Sequence, residues 1–160
     1  MIFEIYCDGS TRNNGYENSV GGWGYVVLES GKEIISQSGS VIDGATNQRM
    51  ELLAAIESIG FVMMNYAVPN VDKVVVYTDS AYLHNCYKQK WYVNWQKNGW
   101  KNAKKQPVAN QDLWERLIKW FETPEITFEK TKGHAGVEWN EYVDTLAQTA
   151  SQRAKEAICR

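Results

Sequence analysis

Four acidic residues stand where a predicted strand or helix begins or ends, and they are the residues of this chain best placed to do chemistry. Asp8 and Asp79 end two strand-like runs, Glu51 lies in the first turns of a predicted helix, and Asp144 lies on the last long helix. Carboxylate oxygens are the ligands that hard divalent cations such as Mg²⁺ prefer. The sequence therefore predicts one oxygen-rich pocket that the fold assembles from four distant segments.

Three of these acids also have an ordinary structural interpretation. An Asp8-Gly9 pair after a strand is usually a turn. Asp79 could cap a helix, and Glu51 could be a favourable acid near a helix N-terminus. Against the capping role, a charge at the end of a buried strand needs a partner or a metal ion. Both interpretations stay open from these residues alone.

Neutral hydrogen-bonding side chains accompany two of the acids. Ser10 follows the first acid, and three residues open the helix of the second: Thr46, Asn47 and Gln48. A helix N-terminus presents free backbone N–H groups that attract phosphate. A row of neutral amides suits a sugar edge or a 2′-hydroxyl group better than an ion. The alternative is an ordinary capped helix.

A histidine lies in a glycine-flanked loop just before the last helix. His134 stands between Gly133 and Gly136. A lone histidine is more often structural or exposed, but the backbone freedom of glycine suits a proton carrier that must approach and leave. Asn140 and Asp144 are four residues apart, so they lie on one face of the helix that follows.

The charge of the chain is distributed unevenly. The net charge of −2 argues, taken alone, against a nucleic-acid partner. Residues 88–105, however, contain six lysines and no acid, together with Trp91, Trp95 and Trp100. A basic, aromatic segment on an acidic body is typical of a surface that contacts a phosphate backbone, and we expect Lys97 and Lys101 among its contacts. The alternative is a solvated helix–loop whose tryptophans pack inward.

Composition bounds the remaining possibilities. A chain of 160 residues with 44% apolar and 22% charged residues fits a single globular domain. No apolar run approaches the roughly 20 residues of a membrane span, and we find no secretion signal at the N-terminus. Three cysteines without metal-ligand spacing favour a reduced compartment. We therefore expect a cytoplasmic monomer with no membrane partner.

The apolar periodicity predicts an α/β fold. Strands are predicted at residues 1–8, 22–28, 33–37, 71–78 and 126–130. Helices are predicted from Thr46 or Asn47 to about residue 64, after Ser80, from Asn110 or Asp112, and over about 137–155. This order indicates a mixed five-stranded sheet flanked by helices on both faces. In such sheets ligands collect at the carboxyl ends of the strands, near the point where strand order reverses.

The motifs in this order resemble those of type 1 ribonuclease H, the bacterial ribonuclease HI kind. The resemblance covers about residues 1–150 and rests on five segments in the expected order: Asp8-Gly9-Ser10, residues 46–55, residues 77–80, the Trp-rich stretch to Trp114, and residues 132–144. It implies a ribonuclease H-like fold and a single catalytic domain over residues 1–160. The basic segment at about 88–105 looks like that family's substrate-binding protrusion.

The resemblance implies an endonuclease that cuts the RNA strand of an RNA–DNA hybrid with little sequence preference. Products would carry 5′-phosphate and 3′-hydroxyl ends. By the family pattern two Mg²⁺ ions, with Mn²⁺ as a possible substitute, are held by four residues: Asp8, Glu51, Asp79 and Asp144. His134 matches the family histidine that is proposed to act in proton transfer or product release.

The same resemblance assigns substrate contacts. Asn14, Asn47 and Gln48 would lie near RNA 2′-hydroxyl groups, Thr46 and Asn110 match a pocket for a DNA-strand phosphate, and Trp91 and Trp95 match a channel for the DNA strand. Two positions depart from the family pattern: Ala81 replaces a common glutamine, and the loop at 11–18 lacks the usual Asn-Pro-Gly order. Two alternatives are a non-cleaving hybrid-binding module and another metal nuclease of the same superfamily.

Overall fold

The computed structural model describes residues 1–12, 19–66, 70–131 and 138–158. Its strands are β1 (Ile2–Arg12), β2 (Val20–Glu29), β3 (Lys32–Val41), β4 (Lys73–Thr78) and β5 (Ile126–Lys130). Its helices are α1 (Asn47–Asn65), α2 (Ala81–Gln89), α3 (Trp91–Asn98), α4 (Gln111–Phe121) and α5 (Glu138–Ile158). The order of elements confirms the predicted α/β architecture.

The five strands form one mixed sheet in the order β3-β2-β1-β4-β5. The first three strands are antiparallel neighbours, while β4 runs parallel to both β1 and β5. A two-residue hairpin loop joins β2 to β3, and its Ser30 and Gly31 both have positive φ angles, as a type I′ turn requires. Parallel neighbours need crossover connections, which the helices supply.

The first strand is longer than the sequence predicts, so the prediction that Asp8 ends it is wrong. Strand β1 continues to Arg12 because its antiparallel partner β2 extends equally far, to Val20. Its parallel pairing with β4 stops earlier, at Tyr6 and Tyr77. Asp8 therefore lies just beyond the last β1–β4 pair, on a strand whose other edge remains paired.

Helices cover both faces of the sheet, as predicted. Side chains of successive strand residues point to opposite faces, and the glycines of β2 show what lies on each face. A Cβ atom on Gly21 would meet the Met50 side chain of α1, whereas one on Gly22 would meet the backbone of Ala147 and Ser151 in α5. The sheet is thus packed closely between α1 and α5.

The larger core lies on the α1 side of the sheet. It includes Phe3 and Ile5 of β1, the fully buried Trp114 of α4, and Phe128 of β5. A smaller cluster of Val26, Leu28 and Val143 packs beneath α5. Within the described ranges, none of the helices is both long enough and apolar enough to cross a membrane.

Candidate active site and substrate-binding surface

The sheet topology brings two of the predicted acids to one edge. From β1 the chain moves outward to β2 and β3, and then returns to β4 on the other side of β1. Strand order therefore reverses between β1 and β4, which is where ligands bind in open α/β sheets. Asp8 lies two residues beyond Tyr6, the last residue of β1 that pairs with β4, and Asp79 directly follows the end of β4.

The third acid reaches this edge because a glycine lets a helix approach closely. A Cβ atom on Gly9 would lie 2.5 Å from the Met50 carbonyl carbon and 2.6 Å from the Glu51 backbone nitrogen. Any larger residue at position 9 would push α1 away from β1. Glu51 lies beyond the first turn of α1, so the alternative of an acid stabilising the helix terminus does not describe it.

Three carboxylates come together at this point. Asp8, Glu51 and Asp79 each offer one oxygen, and these oxygens all lie within 4.8 Å of one another. Burial decreases across the trio, since Asp8 is 4% exposed, Glu51 is half-buried and Asp79 is exposed. Helix α2 is capped instead by Ser80, whose Oγ accepts a hydrogen bond from the Leu83 N–H at 3.1 Å. The N-cap interpretation of Asp79 is therefore wrong.

The surroundings of the trio strongly disfavour the ionised form of its buried carboxyl groups. Burial, followed by the charge of Asp79, raises the pKa of Asp8 to about 7, although hydrogen bonds with Glu51 and the Gly9 N–H lower it. Burial also raises the pKa of Glu51 well above its ordinary value, and the charges of Asp8 and Asp79 add to that effect. A site of this kind needs positive charge before all of its carboxylates ionise at neutral pH.

Asp144 joins the site from the other face of the sheet. Its carboxyl group hydrogen-bonds with Asp8, an interaction that raises the Asp8 pKa. Gln148, one turn later on α5, donates its Nε2–H to Asp144 Oδ2 at 3.0 Å. Asp144 is not part of the compact trio of oxygens found among the described residues. The structure thus brings all four predicted acids together, with Asp144 at the margin.

The donor set fits a hard divalent cation. Ligands on opposite sides of one cation are separated by at most about 4.2 Å for Mg²⁺ and about 5 Å for Ca²⁺, twice the metal–oxygen distance. The oxygens of the trio all lie within 4.8 Å of one another, inside the limit for Ca²⁺ and slightly above the limit for Mg²⁺. In addition, Glu51 Oε2 is buried and has no hydrogen-bond partner in the described part of the chain. A buried carboxylate oxygen without a partner is costly unless an ion binds it.

Polar groups line the N-terminus of α1 beside the acids, as the sequence predicts. Thr46 is the N-cap, and its Oγ1 accepts a hydrogen bond from the Arg49 N–H at 3.1 Å. Asn47 and Gln48 are exposed. Thr11 of β1 donates to Asn47 Oδ1 at 2.6 Å, which directs the amide nitrogen of Asn47 away from the strand. Ser10, by contrast, meets Ser151 of α5 at 3.4 Å.

A hydrogen-bonded network that sequence reasoning missed connects α1 to α4. Arg49 forms two hydrogen bonds with Asp112, at 3.0 and 2.7 Å, and a third with Asn110 Oδ1 at 3.2 Å. Tyr82 of α2 receives hydrogen bonds from Asn110 Nδ2 at 3.3 Å and from Trp114 Nε1 at 3.1 Å. The sequence analysis singled out Asn110 and the neighbours of Arg49 in α1, but no pattern indicated that these residues meet.

The basic segment forms a helix followed by an irregular loop. Helix α3 (Trp91–Asn98) lies between Lys90 and Gly99, which both have left-handed backbone angles. Trp91, Trp95 and Trp100 are half-buried, and each packs against the next with ring centroids about 6 Å apart. The inward-packing interpretation of the tryptophans therefore holds.

The lysines of the segment, unlike its tryptophans, extend into solvent. All six are exposed: Lys88, Lys90, Lys97, Lys101, Lys104 and Lys105. One segment thus combines inward-packed tryptophans with exposed lysines, so the packing of the tryptophans does not argue against a phosphate-binding role. The aromatic contacts anchor the element to the core while its positive charge stays in solvent.

Two predicted site residues lie outside the described residues. Asn14 and His134 fall in residues 13–18 and 132–137, so their predicted roles remain predictions. Ala81, where the family pattern often has glutamine, is the exposed first residue of α2. Its methyl group offers no hydrogen bond to a substrate.

Comparisons with known proteins agree with this geometry. Residues 2–152 match the family described as RNase H. The Ribonuclease H of Syntrophomonas wolfei is 45% identical over 148 residues, covering 91% of this chain and 93% of its own length. The Ribonuclease H of Symbiobacterium thermophilum is 40% identical over 146 residues, covering 91% and 92%.

Solved structures give the same result for the fold. The crystal structure of LC9-RNase H1, a type 1 RNase H, superposes with a TM-score of 0.73 at 28% identity, covering 96% of this chain and 73% of that chain. LC11-RNase H1, solved in complex with an RNA/DNA hybrid, gives a TM-score of 0.66 at 21% identity, covering 95% and 98%. With an acidic cluster at the β1–β4 edge and a family match over nearly the whole chain, this protein belongs to the metal-dependent ribonuclease H family.

Proposed function

We propose that this protein is an endonuclease that hydrolyses the RNA strand of RNA–DNA hybrids by two-metal-ion catalysis, leaving 5′-phosphate and 3′-hydroxyl ends. The observation that carries the proposal is the trio of Asp8, Glu51 and Asp79, whose oxygens lie within 4.8 Å of one another. Family membership gives the reaction class, and the trio identifies the residues of this chain that would perform it.

The position of each acid suggests which of the two cations it would bind. Asp8 contacts Glu51 on one side and Asp144 on the other, so it is the residue that could serve two adjacent cations. Glu51 and Asp79 would complete one position, and Asp144 would contribute to the second. Two Mg²⁺ or Mn²⁺ ions, when bound, would supply an activated water and stabilise the leaving 3′-oxygen.

Side chains of the protein would handle proton transfer and substrate access. Because their pKa values are raised, Asp8 and Glu51 would release protons as the site becomes charged. His134 is proposed to carry a proton or to assist product release. Exposed Asp79 leaves one side of the cluster open to solvent, which gives a phosphodiester access to the carboxylates.

Discrimination between RNA and DNA strands would come from two flanking surfaces. Asn47 and Gln48, with Asn14, are proposed to read 2′-hydroxyl groups, which are what distinguish RNA from DNA. Thr46 and Asn110 are proposed to bind a phosphate of the DNA strand. Because backbone contacts carry no direct base readout, sequence preference should be weak.

The opposite strand would then follow the basic segment. Trp91 and Trp95 are proposed to border the DNA-strand channel, and Lys97 and Lys101 to neutralise its phosphates. Their arrangement supports this, because the two tryptophan rings pack against each other while the lysines are exposed. Ser10 is proposed as a further hydrogen-bonding group near the scissile strand.

We also propose a monomeric enzyme that acts in the cytoplasm. Cys7 and Cys86 are buried free thiols, which is consistent with a reduced compartment. Gel filtration with light scattering at micromolar protein concentration tests the monomer: a mass of twice 18.3 kDa would contradict it.

Cleavage of one end-labelled RNA strand tests the function. The strand is annealed either to DNA or to RNA and incubated with Mg²⁺ or with EDTA. Cutting of the RNA–DNA duplex alone, in Mg²⁺ alone, is the expected result. Tight hybrid binding without cutting would favour a non-cleaving binding module, and equal cutting of the RNA–RNA duplex would contradict the proposed DNA-strand contacts.

A further inference from the structure

The side chains between α1 and α4 have fixed hydrogen-bonding directions. Arg49 can only donate hydrogen bonds, so the Asn110 atom that faces it must be the amide oxygen. The two bonds to Asp112, at 3.0 and 2.7 Å, hold the guanidinium group in place for this contact. The amide nitrogen of Asn110 must consequently point to the other side, where it meets Tyr82 at 3.3 Å.

The same reasoning determines the direction of the Tyr82 hydroxyl group. The Trp114 indole N–H can only donate, and it reaches the Tyr82 oxygen at 3.1 Å. The Asn110 amide nitrogen is also a donor. The phenolic oxygen therefore accepts two hydrogen bonds, and its own proton must point away from both donors. A hydroxyl group held in this way is prepared to donate to a ligand that only accepts.

Tyr82 also lies between the two surfaces proposed for the DNA strand. Its hydroxyl contacts Asn110, while its ring packs against Trp91 with centroids 6.3 Å apart. Edge-to-face contact with Trp114, at 5.1 Å, fixes the ring from the core side. The side chain is only half-buried. A strand that runs from the tryptophan channel to the Thr46–Asn110 pocket would pass over it.

We propose that Tyr82 is a further substrate-binding residue, which donates its hydroxyl proton to a phosphate of the DNA strand, and that Arg49 is the positioning residue that sets this direction. The inference rests on the proposed function and deepens it. A phosphodiester suits the site because its oxygens accept hydrogen bonds and cannot donate them. Thr46 is arranged in the same way, since its Oγ1 accepts from the Arg49 N–H and keeps its proton for a ligand.

The test combines Tyr82→Phe with neutral phosphates. Dissociation constants for a short RNA–DNA hybrid are measured without divalent metal, and each DNA phosphate in turn is replaced by an uncharged methylphosphonate. We expect Tyr82→Phe to bind the unmodified hybrid about five- to tenfold more weakly, because hydrogen bonds to charged groups are the strong ones. At one DNA position, the methylphosphonate weakens binding by the wild-type protein, and this loss of affinity (the methylphosphonate penalty) should fall to about twofold or less in Tyr82→Phe.

Tyr87→Phe is the matched control. It removes the same atom from the same helix, but the Tyr87 ring packs against Phe121 and Phe128 in the core rather than beside Asn110. A merely structural role of Tyr82 would lower the melting temperature and leave the pattern of methylphosphonate penalties unchanged. An unchanged pattern, or an affinity equal to that of Tyr87→Phe, would overturn the proposal.

Arg49→Lys gives an independent test that keeps both tyrosines. Lysine can pair with Asp112 but cannot hold Asp112 and Asn110 together as the arginine fork does. In Arg49→Lys the methylphosphonate penalty should therefore become smaller at the same DNA phosphate as in Tyr82→Phe. A smaller penalty at a different phosphate, or no change at any phosphate, would refute the role of Arg49 in directing the Tyr82 hydroxyl group. Wild-type protein that neither binds nor cuts the hybrid would instead refute the proposed function itself.

Discussion

The acidic trio should destabilise the metal-free protein, and Asp8→Asn should therefore stabilise it. Burial and the charge of Asp79 raise the pKa of Asp8 from an ordinary value of 3.8 to about 7. One pKa unit between the folded and unfolded states corresponds to about 1.4 kcal/mol. Ionisation of Asp8 at pH 7 to 8 thus lowers the free energy of unfolding by about 4 kcal/mol.

The sign and the pH range follow from the same two pKa values. Below about pH 4 the carboxyl group is protonated in both states, so it does not change stability. Between about pH 4 and pH 7 the unfolded chain ionises while the folded protein keeps its proton, so the free energy of unfolding falls as pH rises. Above about pH 7 both states are ionised and the penalty stays constant.

Urea unfolding in EDTA at pH 4 and pH 8 measures this difference. We expect Asp8→Asn to gain about 2 to 4 kcal/mol at pH 8 and almost nothing at pH 4. Asparagine keeps the size of the side chain and an oxygen that can accept the Gly9 N–H bond, which is 2.8 Å long in the wild type. Addition of Mg²⁺ should remove most of the difference by stabilising only the wild type.

Glu125→Gln is the control for a general effect of removing negative charge. Glu125 is exposed and precedes β5, at the opposite end of that strand from the acidic cluster. This variant should shift the free energy of unfolding by less than about 0.5 kcal/mol. Equal stability of Asp8→Asn and wild type at pH 8, or an equal gain at both pH values, would refute the electrostatic explanation.

Three further predictions concern catalysis and binding. Asp79→Asn should abolish cleavage but keep hybrid binding, because it removes metal-binding charge from an exposed position; activity within about tenfold of wild type would contradict this role. His134→Ala should slow turnover about 100-fold without abolishing it, because water can partly replace a proton carrier; complete loss in a single-turnover assay would indicate an essential structural or metal role. The third change neutralises four exposed lysines: Lys97, Lys101, Lys104 and Lys105. It should raise KM and reduce the slope of its salt dependence by about 0.9 for each phosphate contact that is lost. An unchanged slope would mean that these lysines touch no phosphate.

The sequence predicted the order of strands and helices better than it predicted the lengths of the strands. Apolar patterns, alternating in β1 and continuous in β4, identified the strands, and polar caps such as Thr46 and Ser80 identified where α1 and α2 begin. Both signals are local, so a single sequence contains them. The predicted end of β1 at Asp8 was wrong because the continuation to Arg12 depends on pairing with β2. Pairing partners are not visible in local patterns.

The Arg49–Asp112 network was missed for a related reason. Its members belong to α1, α2 and α4, and nothing in their spacing shows that the helices meet. Asp112 has the favourable position of an acid in a first helical turn, which by itself predicts nothing beyond helix stability. The structure adds the information that Arg49 reaches Asp112 across 63 positions of sequence.

The pKa shifts of Asp112 and of the buried pair Asp8 and Glu51 have opposite directions. The hydrogen bond with Arg49 lowers the pKa of Asp112, so its charge stabilises the fold. The pKa values of Asp8 and Glu51 are raised, and no salt bridge to either is found in the described part of the chain. A fold whose other features are mutually consistent keeps such unfavourable groups only where they serve a ligand. Among the described residues no cation balances these carboxylates, and the proposed divalent cations would supply that charge in the form that an oxygen-only donor set favours.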